Sequence, residues 1–137
     1  MKNNMKAHQK ALSVAALAGA SLFIAGSVLA ASLPAEIANA RTHANNAANA
    51  TTIEGVHTHM HHAINCLAGP KGEGYDASQM NPCANAGDGA ITDQTDAAKK
   101  AKLESAKAAL MKGLGENDLK TAQDSAKMAV ADISAAS

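Results

Sequence analysis

Residues 103–130 read LESAKAALMKGLGENDLKTAQDSAKMAV, two alanine-rich runs of helical spacing separated by a few residues that stop one helix and start another. In the first run Leu103, Ala106 and Leu110 share a face, and Lys99, Lys100, Lys102 and Lys107 lie opposite. In the second, Leu119, Ala122, Ala126, Ala129, Val130 and Ile133 recur with the same period, and Asn117 has the chemistry of an N-cap. The spacing predicts one helix from near Asp93 to Gly113 and another from Asn117 onward. With so short a connection between them they form an antiparallel hairpin.

The upstream half repeats the pattern. Pro34 suits a first helical position, Glu36 favours the positive end of a helix dipole, and Ile37, Ala40, Ala44, Ala47 and Ala48 keep helical spacing, which predicts a helix over 34–48. Thr51 with Glu54 reads as a capping box, and Gly69-Pro70 as a stop, which predicts a second helix over 52–67. The expected fold is therefore all-α, an up-and-down four-helix bundle. Composition points the same way: residues 31–137 contain 26 alanines and one aromatic residue, Tyr75. Alanine is the best helix former, and sheets want the branched and aromatic residues that are scarce here.

Alanine buries little area, so this core is thin and needs a further constraint. Residues 68–91 are turn chemistry without apolar period, and a loop of that length needs an anchor. Cys66 and Cys83 supply one as a disulfide, closing the loop between helices two and three in a ring of 18 residues. Chain-entropy models value such a ring at roughly 3 kcal/mol. A bound metal or cofactor is a second possible stabiliser. Met60, Met111 and Met128 are read as core filling rather than as thioether ligands.

Residues 1–30 have the form of an export signal: Lys2, Lys6 and Lys10, then an apolar run from Ala11 to Leu29, then Val28-Leu29-Ala30 as cleavage pattern. The domain that remains is 31–137, with nine basic and 12 acidic side chains. A net charge of −3 disfavours nucleic acid as a partner. After cleavage no stretch is apolar for long enough to span a bilayer, so the expected location is periplasmic or secreted.

The chemically pointed segment is Val56-His57-Thr58-His59-Met60-His61-His62. At about 100° per residue, with His57 at 0°, His61 falls at about 40°, His62 at about 140°, Cys66 at about 180° and His59 at about 200°. The apolar stripe of the same helix is centred near about 290°, so the histidines flank the core without joining it. Two ligand pairs follow: His57 with His61 at i,i+4, and His59 with His62 at i,i+3. Either pair needs a donor from another element, and His43 at the flank of helix one is the candidate. Nitrogen donors favour a divalent transition metal, Cu, Zn or Ni, over Ca or Mg. Cys66 could join His59 and His62 only as a free thiolate, and the disulfide with Cys83 removes it from that set. No nucleophile motif, phosphate loop, paired catalytic carboxylates or haem-attachment motif is present, and the chain is not read as an enzyme.

The hairpin Leu103–Leu110 through Thr121–Ala129, together with histidines on amphipathic helices of an exported alanine-rich chain, resembles the small metal-binding protein family of bacterial periplasms. That resemblance implies binding of divalent metals, copper included, by helical histidines. The chain departs from the family pattern in two ways: helices three and four carry no histidine, and the Cys-bounded loop is not a feature associated with the family. Only His43, His57, His59, His61 and His62 can inherit the ligand role, which implies a capacity of one or two ions. The leading expectation is a metal buffer or carrier. The alternatives are a haem-binding electron-transfer bundle, with His and Met as axial ligands, and a non-catalytic adaptor whose loop, with Tyr75 and Met80, is the contact surface.

Overall fold

The computed structural model describes residues 29–137, with side chains from Leu33 onward, and the expected export signal falls outside the described residues except for its last two. These residues form five helices and no strand: α1 Leu29–Asn49, α2 Ile53–Ala68, α3 Ala90–Asp93, α4 Ala97–Leu114 and α5 Leu119–Ala135. The all-α expectation holds, with one added element, the single turn α3 at the end of the long loop.

The helix starts show which acceptor wins where several compete. At α2 the N-cap is Thr52, not Thr51: its side chain accepts from the Gly55 N–H at 3.1 Å. Counting three residues on from Thr52 reaches Gly55, which has no side chain, so the reciprocal half of the expected capping box is missing. α4 starts at Asp96, whose carboxylate accepts from the Lys99 N–H at 2.9 Å, and not near Asp93. Asp93 ends α3 and turns its own carboxylate back to the Asp88 N–H, while Gln94 goes extended and accepts from the Asp96 N–H. Local side-chain bonds of this kind compete with helix continuation. α5 is capped by Asp118 rather than Asn117, its carboxylate accepting from both the N–H and the hydroxyl of Thr121. α1 begins upstream of the expected start and carries Pro34 inside it. The alanines before Pro34 extend the helix at the loss of one backbone hydrogen bond.

α1 packs on α2 and α5, α4 packs on α5 and α2, and α2 and α5 also meet each other. Ala40, Ala44 and Ala47 of α1 and Val56, Met60, Ala63 and Leu67 of α2 are completely buried, as are Leu103, Ala106 and Leu110 of α4 and Ala122, Ala126, Ala129 and Ile133 of α5. Met60 fills the core as expected, and a Cβ on Gly113 would stand 2.4 Å from its terminal methyl, so the glycine makes room for it. Met111 and Met128 do not: they are 42% and 63% exposed, placed on the outer faces of α4 and α5.

Cys66 and Cys83 are bonded, both buried. The loop they close folds over the C-terminal half of α2, so that every residue from His62 to Gly69 is buried, whichever face it occupies. Asn65 organises this cover. Its amide donates to the carbonyls of Asp76 and Met80 at 3.0 and 3.1 Å, and its Oδ1 accepts from the Asp76 N–H at 2.9 Å. At the neck of the loop Gly69 and Gly89, both at positive φ, pass backbone to backbone: a Cβ on Gly89 would lie 2.6 Å from the Ala68 carbonyl.

Glu36, read from sequence as favouring the positive end of the α1 dipole, is fully buried against this neck. Its Oε1 accepts from the Gly89 N–H at 2.8 Å and its Oε2 has no partner. Burial pushes its carboxyl up to about 7, the Gly89 bond opposes the rise, and the nearby Asp93 and Asp88 add to it.

Two outcomes are expected. Asn65→Ala strands the Asp76 N–H and several loop carbonyls and is expected to cost about 2 kcal/mol in denaturant unfolding. Between the ordinary value of 4.5 and about 7, the folded chain holds a Glu36 proton that the unfolded chain has released. That contribution to stability is complete below 4.5 and is lost as pH rises through 7. Glu36→Gln is expected to remove it, so thermal melts of variant and parent diverge as pH rises from 5 to 7.5, the variant retaining more stability.

Candidate metal site

α1 and α2 are joined by residues 50–52 and run back along one another, so that His43 comes to lie opposite His59 and His62. The site follows from two local rules. On α2 the i,i+3 spacing puts His59 and His62 on one shoulder of the helix, and on α1 His43 sits beside the alanine stripe that lets the helices approach. His62 is 7% exposed and forms the floor, while His43 and His59 are half-buried walls.

The three rings converge. One nitrogen from each lies within 4.8 Å of the others, and the ring centroids are 5.6 Å apart for His43 and His59, 5.0 Å for His43 and His62, and 5.8 Å for His59 and His62. The Nδ1 atoms of His43 and His59 are 3.3 Å apart. Two imidazole nitrogens bound at about 2.05 Å around a tetrahedral ion stand about 3.3 Å apart, with ring centres a little over about 5 Å apart. The triad could therefore hold a metal ion with small rotations of the rings. The buried Nδ1 of His62 has no hydrogen-bond partner.

Desolvation lowers the pKa of His43 from 6.5, with the like charges of His62 and His59 adding to the effect. His62 is lowered from 6.5 by burial first, then by His59 and His61. Both rings are thus biased toward the neutral form that ligates.

The other two histidines of the segment are placed elsewhere. The His57 Nε2 is 3.0 Å from the Glu116 backbone carbonyl and so donates to the α4–α5 connection. His61 faces the disulfide loop, with Nδ1 3.6 Å from the Asp76 carboxylate. The structure thus brings His43, His59 and His62 together and places His57 against the Glu116 carbonyl and His61 beside the disulfide loop, its buried Nδ1 without a hydrogen-bond partner. The wheel gave 57 and 61 a common face, but the two rings lie against different neighbouring segments, His57 on the α4–α5 connection and His61 on the loop near Asp76. Cys66 is held in the disulfide and is not available to the triad. Asn65 and Asp76 were not singled out in the sequence. The signal for Asn65 was its neighbour Cys66: a loop bonded at that point has to cover the adjacent turn.

A cavity of about 290 Å³ lies between the first half of α1 and the ends of α4 and α5, lined by residues that include Leu33, Ile37, Arg41 and Lys99 and no histidine. It is separate from the triad. No described helix is long and apolar enough to cross a membrane. Comparison of the chain with family models, with curated proteins and with solved structures finds no match.

In a titration followed by NMR, His43 and His62 are expected to protonate below 6.5. His59→Ala removes a like charge from both and is expected to move both values up; unchanged values would contradict the packing described here.

Proposed function

We propose that this chain is a non-enzymatic binder of a divalent transition metal, a buffer or carrier, with His43, His59 and His62 as its ligands. One observation carries the reading: three imidazoles from two helices converge, with one nitrogen of each within 4.8 Å of the others and the His43–His59 pair at 3.3 Å. Three nitrogen donors suit Zn²⁺, Cu²⁺ or Ni²⁺ and not Ca²⁺ or Mg²⁺, and the Irving–Williams order makes Cu²⁺ the tightest in solution. The capacity is one ion per chain at this site.

The scaffold in this proposal is an up-and-down bundle of α1, α2, α4 and α5, which keeps the two ligand-bearing helices adjacent. The disulfide suits an oxidising compartment, in keeping with a periplasmic or secreted protein. The reading agrees with what the resemblance to small metal-binding proteins implies, on three of the five histidines that could inherit the role.

Calorimetric titration with Cu²⁺, Zn²⁺ and Ni²⁺ tests it. Saturation at one ion per chain is expected, and His62→Ala is expected to raise Kd roughly 100-fold, about 2.7 kcal/mol. His57→Ala with His61→Ala is expected to leave the affinity unchanged. Because protons compete for the same nitrogens, affinity is expected to fall as pH drops below about 6.5. Equal weak binding by parent and triad variants would reject the proposal.

A further inference from the structure

The triad has three donors and no fourth. Among the described residues no further His, Cys, Asp or Glu side chain joins His43, His59 and His62. The side chains that sequence places nearest in chemistry are placed elsewhere. The His57 ring is bonded to the Glu116 carbonyl, His61 faces Asp76, and Cys66 is in the disulfide. The side of the triad away from its floor is open: His62 is buried beneath, and His43 and His59 keep access to water. Sites that only store a metal structurally are closed by four protein ligands, whereas three protein ligands leave one position to water or an incoming group.

Resting on the metal-binding reading above, we infer that the bound ion keeps one exchangeable, solvent-facing coordination position, filled by water at rest and open to a single external donor. The class of ligand it takes is a small monodentate nitrogen, sulfur or anionic donor, free or carried by the side chain of an acceptor. The consequence is an associative route of metal transfer. The acceptor's donor bonds to the ion first, and the imidazoles then leave one at a time. No redox change is involved, and the protein ligands that leave take up protons from water or remain neutral.

The test uses the full chain loaded with Co²⁺, whose visible bands report coordination number, and azide as the probe. The expected result is an intense four-coordinate spectrum that azide shifts in a saturable, one-to-one manner. In parallel, Zn²⁺ transfer to an excess of a chelator is expected to accelerate in proportion to chelator concentration, tenfold for tenfold. If no metal binds, the metal reading itself fails and this inference with it. If Co²⁺ binds but azide leaves its bands unmoved, or if transfer is independent of chelator concentration, the binding reading survives and the open position is overturned. Loss of Co²⁺ binding in His57→Ala or His61→Ala would also overturn it, because the fourth ligand would then come from the chain.

Discussion

The contact between α1 and α2 is the constraint from which the rest follows. Ala40, Ala44 and Ala47 present methyl groups where larger residues would hold the helices apart, and all three are fully buried. A stripe of minimal side chains lets two backbones draw close, and only then can a ring on α1 reach rings on α2. Wider α1 side chains would fill the core better and remove His43 from its partners. The thin core inferred from composition and the convergence of the triad are thus two results of one choice of residue. What such a core lacks in buried area is supplied by other means: the Met60 side chain in the space left by Gly113, the disulfide, and a loop tied down by hydrogen bonds.

That loop does more than shorten the unfolded chain. By lying over the last two turns of α2 it turns an amphipathic helix into one buried on every side from His62 onward. His62, at the start of this buried stretch and packed against His43 and His59, is desolvated, with a lowered pKa and an unpartnered nitrogen. The same cover makes Asn65 tolerable: a buried amide is costly unless bonded, and here both ends of it are used. His61 stands at the edge of the cover and meets Asp76 rather than the triad.

Much of the architecture was legible before any coordinates. Periodicity located four long helices to within a few residues, and the cysteine pair gave the bridge. The ends of helices were misplaced by one to several residues because Thr51 and Thr52, Asp93 and Asp96, and Asn117 and Asp118 are chemically equivalent candidates. Which of each pair caps depends on where the chain arrives, and that is a tertiary matter. For the candidate site, the helical wheel set His59 and His62 apart from His57 and His61 and named His43 as the imidazole on another element, and these three rings are the ones that lie together. The wheel could not see that His57 bonds to the α4–α5 connection or that His61 lies against the loop. The burial of Glu36 was invisible for the same reason: nothing in the periodicity of α1 says that a second segment, here Gly89, is laid on top of it.

The base of the loop is held by two fasteners unlike in kind. One is the covalent Cys66–Cys83 link, sensitive to electrons. The other is the Gly89 N–H lodged on the buried Glu36 carboxyl, at a crossing that only two residues without side chains can make, and it is indifferent to the redox state of its surroundings. Reduction would cut the first and leave the second in place.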